Sequence, residues 1–92
     1  MEIVWTDTAL ETYLKVIDYL LDYWTSKELE SFELDVGQLL ERITSFKQIC
    51  PESKLFGYRN CVIDEHNSLV YHIVNNKLLL VTFLDNTSQH SY

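Results

Sequence analysis

The stretch of sequence that most constrains the fold is SLVYHIVNNKLLLVTFLD, residues 68–85. Two apolar runs in it are separated by Asn75-Asn76-Lys77. This pattern is typical of two strands joined by a tight turn, because asparagine tolerates the backbone conformations that such turns require. The sequence therefore predicts a β-hairpin with strands over residues 68–74 and 78–84. Since this is the most hydrophobic part of the chain, we expect other elements to cover one of its faces.

The first half of the chain carries apolar residues at helical spacing. Residues 6–8, Thr-Asp-Thr, are of types that commonly cap helices. Apolar side chains then recur every three or four residues over 10–24 and again over 29–46, as in amphipathic helices. Thr25 and Glu28 match a capping box at the start of the second helix. Because the link between the two patterns is short, they predict an antiparallel helical hairpin.

The second half of the chain has the patterns of a sheet. Pro51 ends the helical half, since proline disfavours a helical residue before it and has no N–H to donate. Residues 58–63 then predict a strand and residues 64–67 a turn before the hairpin, while the β-prone residues 2–5 precede the helices. The sequence thus predicts an α+β fold of order β-α-α-β-β-β, as a single domain over residues 1–92. Its helical hairpin packs on one face of a small, mostly antiparallel sheet.

Side chains of the middle strand alternate between two faces of this sheet. Leu69, Tyr71 and Ile73 are the bulkier set, and we assign them to the helices. The opposite, more open face receives Ser68, Val70, His72 and Val74. Whether Arg59 in the preceding strand shares the face of His72 depends on the strand register, which the sequence leaves open.

Charge and cysteine usage narrow the classes of function. The net charge is −7, and residues 1–46 hold ten acidic residues against three basic ones, whereas residues 47–92 hold four of each. The strongly basic footprint of a nucleic-acid-binding chain is therefore absent. There is no apolar run of the ~18 residues that a membrane span needs, and no secretory signal. We expect a cytoplasmic protein in which Cys50 and Cys61, which fit no metal or redox spacing, stay reduced, with no metal or cofactor and no membrane contact.

Three segments together resemble the RelE/ParE superfamily of type II toxins. VWTDTALETYLKVIDYLLDYW resembles a short strand that ends in W-[ST]-x-x-A before a helix. SLVYHI is similar to the strand L-V-Y-R-[IV] of that superfamily, and LLLVTFLDN to its last strand, which runs into F-x-[DH]-x-R. The resemblance covers nearly the whole chain. It implies a bacterial cytoplasmic toxin that a cognate antitoxin neutralises, in a homodimer or a toxin–antitoxin hetero-oligomer.

The resemblance also implies two targets and four site residues. Members of the superfamily either cleave mRNA on the ribosome, as endoribonucleases, or poison DNA gyrase without catalysis. For RNA cleavage, the 2′-hydroxyl attacks the adjacent phosphate while His72 or His90 moves protons and Arg59 stabilises charge. His90 and Tyr92 are similar to a C-terminal histidine and tyrosine of some ribosome-dependent members. His72 and Thr87 stand where many relatives have arginine.

Plainer interpretations of the same residues stay open. His72 also fits a solvated strand face, and Arg59 fits a surface ion pair with Asp64 or Glu65. His90 and Tyr92 also fit a polar terminus. The acidic charge and the replaced arginines weigh against an efficient nuclease and favour gyrase or an unassigned target. An alternative function is that of a weakened or inactive toxin-fold module that mainly binds an antitoxin. An acidic helical surface would favour a basic segment of such a partner.

Overall fold

The computed structural model describes residues 1–87 and Tyr92. Its helices and strands are β1 (Glu2–Trp5), α1 (Asp7–Tyr23), α2 (Ser26–Ser45), β2 (Tyr58–Val62), β3 (Asn67–Val74) and β4 (Lys77–Asp85). The α+β class and the order β-α-α-β-β-β are confirmed, and the bounds of the last three strands lie within one residue of the predicted ones. Neither helix in the described part of the chain has the length and apolar character needed to cross a bilayer.

A threonine stands directly before each helix as its N-cap residue. The Thr6 hydroxyl accepts from the Ala9 N–H at 3.0 Å, so that Thr6 caps α1. The same hydroxyl lies 2.8 Å from the Leu80 carbonyl oxygen and can donate to it, which connects the start of α1 to β4. At the start of α2 the Glu28 carboxylate accepts from the Thr25 N–H at 3.0 Å, as the predicted capping box requires.

The four strands form one sheet in the order β1-β4-β3-β2. β1 runs parallel to β4, and the pairs β4–β3 and β3–β2 are antiparallel. Asn75 and Asn76 have φ values of 52° and 58°, and Lys77 pairs with Val74. The turn between β3 and β4 therefore contains two residues rather than the predicted three, because two left-handed residues match the twist of the flanking strands.

A bulge at Val81 interrupts the pairing of β4 with β3. The extra residue resets the alternation of side chains, so that both Leu80 and Phe83 lie in the core although they are three residues apart. The Phe83 N–H donates to the Thr12 hydroxyl at 2.9 Å. A side chain of α1 thus supplies the acceptor that the irregular strand needs beside its bulge.

The core lies between the helices and one face of the sheet. Leu69 and Tyr71 are fully buried and Ile73 packs against them, so the assignment of these three residues to the helical face is confirmed. The Tyr71 hydroxyl donates to the Lys47 carbonyl oxygen at 2.8 Å. Burial raises the pKa of this phenol. The other buried members of the cluster are Ala9, Phe32, Val36, Leu39, Ile43, Cys50, Cys61, Leu78, Leu80 and Phe83.

The prediction of two reduced cysteines is wrong. Cys50 and Cys61 form a disulfide, with their Cα atoms 5.2 Å apart. The chain after α2 turns back and runs beside β2, where the Asn60 N–H donates to the Pro51 carbonyl oxygen at 3.0 Å. This neighbouring backbone brings the two cysteines within bonding reach, and no local pattern in the sequence indicates such an approach.

Candidate functional site

The sheet has a second face that points away from the helices, and we call it the open face. The register pairs Tyr58 with His72 and Asn60 with Val70, while their neighbours Cys61 and Tyr71 lie in the core. Because side chains alternate along a strand, the open face of β2 and β3 carries these two pairs. In the following row Val62 pairs with Ser68.

The open face is covered at its centre. Val70 is fully buried, and Ser68 and Thr82 are also buried, although Val62 at its edge is 72% exposed. Ser68 and Val70 are thus exceptions on the face that the sequence predicts to be the more open one. The Ser68 and Asn86 side-chain oxygens lie 2.5 Å apart, so the residue that follows β4 contacts this face.

His72 is anchored on the open face by one ring nitrogen. Its Nδ1 lies 2.6 Å from the Gly57 carbonyl oxygen. A carbonyl oxygen only accepts hydrogen bonds, so Nδ1 carries the proton and Nε2 is the basic nitrogen of the neutral ring. Gly57 has a φ of 85°, and a Cβ atom there would lie 3.2 Å from Cε1 of His72. Glycine thus permits both the turn and the close approach of the ring.

Two tyrosines extend this site into a row of rings. The Tyr58 and His72 ring centroids are 5.1 Å apart, and those of Tyr58 and Tyr92 are 6.4 Å apart with nearly parallel planes. The Lys54 N–H donates to the Tyr92 carbonyl oxygen at 3.1 Å, which helps to hold the end of the chain here. We call Tyr58, His72 and Tyr92 the ring cluster. Two of the four predicted site residues, His72 and Tyr92, meet in it.

The other two predicted site residues are His90 and Arg59. His90 lies outside the described residues. Arg59 neighbours Tyr58 in β2 and therefore points to the opposite face, where its Nη1 donates to the Cys50 carbonyl oxygen at 2.7 Å. Its Nη2 lies 3.9 Å from the Glu52 carboxylate, so its ion pair is not with either of the two acids that the sequence suggested.

Tyr58 is a site residue that the sequence did not predict. Its partnership with His72 is a cross-strand pair, and such pairs are defined by the register of the strands. The alternation of β2 was visible in the sequence, but nothing local shows which residue of β3 lies opposite Tyr58. Once that register is known, the aromatic ring beside the histidine follows directly.

The replaced arginine positions also have defined contacts. Thr87 donates its N–H at 2.9 Å and its hydroxyl at 2.7 Å to the Asp85 carboxylate. These hydrogen bonds hold the pKa of Asp85 below its usual range, because they stabilise the ionised carboxylate.

At the far edge of the open face Lys77 lies 3.7 Å from the Glu2 carboxylate. Among the side chains that the described strands direct to this face, only His72 and Lys77 can carry a positive charge.

A concave surface lies on the helical side of the molecule. It is a cleft of about 710 Å³ between the two helices and the turn that joins β2 to β3, and we call it the helix cleft. Its apolar lining is formed mainly by Val16, Tyr19, Leu20, Trp24, Phe32 and Phe83. Its carboxylates are Glu28, Asp35, Asp64, Glu65 and Asp85, against the basic side chains of Lys15 and His66. The helix cleft therefore combines apolar surface with an excess of negative charge.

The described residues contain no cluster of side chains that could bind a metal ion. Within residues 1–87 and Tyr92, no three histidine, cysteine, aspartate or glutamate side chains converge as metal ligands. The ring cluster contributes an imidazole and two phenol rings to the open face.

Comparison with known proteins identifies the fold. No family model and no curated protein matches the sequence. Among solved structures, a copper-bound mutant toxin from Helicobacter pylori is similar with a TM-score of 0.66 at 15% identity, over 95% of this chain and 96% of that one. A YoeB/ParE toxin from Agrobacterium tumefaciens is similar with a TM-score of 0.64 at 12% identity, over 94% and 99%.

The chain has the fold of the YoeB/ParE toxins. The YoeB–YefM complex from Staphylococcus aureus is also similar, with a TM-score of 0.63 at 18% identity over 90% of this chain and 93% of that one. The predicted RelE/ParE-like architecture is thus confirmed as a fold. At these identities the likeness concerns the backbone, and the chemistry must be argued from the side chains of this chain.

Proposed function

We propose that this chain is the toxin of a bacterial type II toxin–antitoxin system, acting in the cytoplasm on mRNA engaged by the ribosome. The observation that carries the proposal is the ring cluster on the open face. An imidazole exchanges protons near neutral pH, and aromatic faces stack on unpaired bases. Poisoning of gyrase requires no proton-transfer group, so the ring cluster favours RNA as the target.

In the proposed reaction His72 acts as the general base. Its Nε2 takes the proton of a ribose 2′-hydroxyl while that oxygen attacks the adjacent phosphorus. The bond from phosphorus to the 5′-oxygen of the next nucleotide breaks, and that oxygen takes a proton from Tyr92 or His90. The products are a 2′,3′-cyclic phosphate and a 5′-hydroxyl. The hydrogen bond from Nδ1 to the Gly57 carbonyl leaves Nε2 free to accept this proton, and it persists in the imidazolium that forms.

Tyr58 and Tyr92 position the RNA in this proposal. Their nearly parallel rings, 6.4 Å between centroids, are suited to stack on exposed bases beside the scissile phosphate. Arg59 points to the other face and binds the Cys50 carbonyl, so we assign it a structural part rather than a contact with phosphate. The acidic first half of the chain repels RNA, which leaves the neutral second half, with the open face, to meet the substrate.

A substitution of His72 tests the reaction. In His72→Asn the amide N–H can replace Nδ1–H toward Gly57, while the basic nitrogen is lost. We expect induced expression of the wild-type chain in a bacterial host to arrest growth and to yield mRNA fragments with 5′-hydroxyl ends, and His72→Asn to abolish both. His66→Asn is the matched control, because His66 is an exposed histidine in a turn. Full arrest by His72→Asn without RNA fragments would contradict the nuclease and indicate gyrase or another target.

A second candidate function is a binding module whose main property is pairing with an antitoxin. The helix cleft favours it, because an apolar surface with five carboxylates suits a basic amphipathic segment of a protein partner. The scarcity of cations on the open face also suits a chain that binds but does not cleave. The similar structure from S. aureus is a toxin–antitoxin complex, which supports an antitoxin as the partner.

Charge reversal in the helix cleft tests this pairing. We expect the chain to co-purify with the product of the small open reading frame next to its gene, and Asp35→Lys with Glu65→Lys to weaken that binding more at low salt than at high salt. Glu30→Lys with Glu41→Lys, on α2 outside the cleft lining, is the matched control. Equal weakening by both pairs would refute the helix cleft as the docking surface. Soluble expression without growth arrest would favour the binding module over the toxin.

A further inference from the structure

The loop between α2 and β2 supports the ring cluster. Gly57 of this loop accepts the hydrogen bond that orients His72, and Lys54 donates to the Tyr92 carbonyl oxygen. Tyr58, the middle ring, is the first residue of β2 directly after the loop. We call residues 50–57 the support loop. The order of the ring cluster thus depends on where this loop is held.

The disulfide is the main anchor of the support loop in the core. Cys50 is the only residue of the loop that is buried, whereas Leu55 is 40% exposed and Phe56 is fully exposed. Cys61, its partner in β2, is 1% exposed and belongs to the core cluster. The bond therefore joins a loop that has few apolar contacts of its own to a strand that is firmly packed.

Hydrogen bonds also attach the support loop to β2, and they require the same alignment of the loop with the strand as the disulfide does. The Asn60 N–H donates to the Pro51 carbonyl at 3.0 Å, and the Ser53 N–H donates to the Tyr58 carbonyl at 2.8 Å. Arg59 donates to the carbonyl of Cys50 itself. All of these hydrogen bonds join the support loop to β2 next to the disulfide. Release of Cys50 is therefore expected to weaken all of them. Exposed backbone hydrogen bonds with little apolar packing open readily.

We propose that the Cys50–Cys61 disulfide is a reversible redox switch for the open-face site. This inference rests on the function proposed above. In a cytoplasm, small thiols keep most protein thiols reduced, and the disulfides that do form there are mainly transient or redox-sensing. Reduction frees the support loop, so that His72 loses its fixed Nδ1 partner and Tyr92 its backbone contact. Oxidation restores both and assembles the ring cluster.

The chemistry is thiol–disulfide exchange with a small thiol of the glutathione class. The thiolate attacks Cys50, which is the less deeply buried partner, and Cys61 leaves as a thiolate. A second small thiol then attacks the mixed disulfide, so that both cysteines end as thiols and the two small thiols end as one disulfide. The reverse exchange, with the oxidised small molecule as the acceptor of two electrons, reforms the Cys50–Cys61 bond.

Hydrogen exchange and NMR on the purified full chain test the coupling without any assay of toxicity. After equilibration with oxidised or reduced glutathione, alkylation and mass spectrometry count the free thiols. We expect the amides of Lys54 and Asn60 to exchange at least about tenfold faster in the reduced chain, and the ring signals of His72 to shift, while the amides of β3 and β4 stay protected. Cys50→Ser is expected to behave like the reduced chain in both buffers.

Three results would overturn the switch. One is a chain whose two thiols stay free in oxidised glutathione. Another is reduction that leaves the Lys54 and Asn60 amides and the His72 signals unchanged. The third is uniform loss of protection in β3 and β4, since this would show general unfolding rather than a local release. Cys50→Ala with Cys61→Ala guards against a defect of the single variant, and it must reproduce the local release in a folded chain.

Growth assays then separate this inference from the function on which it rests. If the wild-type chain and Cys50→Ser arrest growth equally even after an oxidising treatment of the cells, the toxin stands and the redox control is refuted. If neither arrests growth while the amides still respond to reduction, the toxin is refuted and the structural switch stands. The expected result is that an oxidising treatment of the cells strengthens the growth arrest by the wild-type chain and leaves the arrest by Cys50→Ser unchanged.

Discussion

The half-buried Thr6 side chain is predicted to contribute more to the stability of the fold than a helix cap alone would. Its hydroxyl accepts from the Ala9 N–H and lies within donating distance of two carbonyl oxygens of β4, those of Leu80 at 2.8 Å and Val81 at 3.0 Å. One proton serves both carbonyls, so the hydroxyl contributes one cap bond and one shared bond to the sheet. Thr6→Ala removes both of these bonds together, while the Thr6 N–H and the Thr12 hydroxyl still join α1 to β4.

The expected loss combines two ordinary terms. Replacement of a helix cap by alanine costs ~1 kcal/mol, and loss of a net hydrogen bond to a partly buried carbonyl costs about another 1 kcal/mol. We therefore expect Thr6→Ala to lower the free energy of unfolding by about 2 kcal/mol. For a domain of this size, that loss lowers the Tm by roughly 8–16 °C.

Thermal and urea unfolding followed by circular dichroism measure the effect, and two variants control it. Thr6→Ser keeps the hydroxyl and is expected to retain most of the stability. Thr8→Ala removes a neighbouring exposed threonine that is already inside the helix, and it is expected to change the Tm little. If Thr6→Ala is no more destabilising than Thr8→Ala, the hydroxyl does not link α1 to β4 as described, and the reasoning is refuted.

Three further predictions concern buried and titrating groups. Tyr71→Phe removes the bond to the Lys47 carbonyl and is expected to cost about 1 kcal/mol in urea unfolding at neutral pH. Because the pKa of Tyr71 is raised above its ordinary value of 10.0, the wild-type chain should lose stability as the pH rises past that value, whereas Tyr71→Phe should lose less. Thr87→Ala is expected to raise the lowered pKa of Asp85, which NMR titration measures. The ionised Asp85 stabilises the fold above its unfolded pKa, and this stability is lost as the pH falls, so the variant should gain less from it. Leu69→Ala is expected to cost about 2–5 kcal/mol, since Leu69 is fully buried, and little loss in calorimetry would contradict the described core.

The site was foreseen only in part. His72 was placed on the face away from the helices because side chains alternate along a strand, and this prediction needed no knowledge of the partner strands. Arg59 could not be placed in the same way, since its face depends on how β2 pairs with β3. In the structure Tyr58 lies opposite His72, and the Arg59 side chain points to the other face of the sheet. The companion of the histidine is thus a tyrosine that the sequence did not single out.

The cysteines show the same limit. The expected reducing cytoplasm and the spacing of the cysteines predicted two thiols. Neither observation contains information on the three-dimensional path of the chain. The approach of residue 50 to β2 depends on the path of the loop after α2, through the hydrogen bond between Asn60 and Pro51. The burial of Val70 and Ser68 on the open face likewise has no signal in the alternation of side chains along β3.

The sequence by itself determined the element order, the bounds of the strands to within a residue, and the residues that β3 turns toward the helices. These features follow from short-range periodicity and turn chemistry, which each segment carries alone. Only the tertiary structure decided the parallel pairing of β1 with β4, the bulge at Val81, the disulfide and the ring cluster. Each of these joins residues that are distant in the chain or depends on strand register. A shift of one residue in register would move every side chain of a strand to the other face.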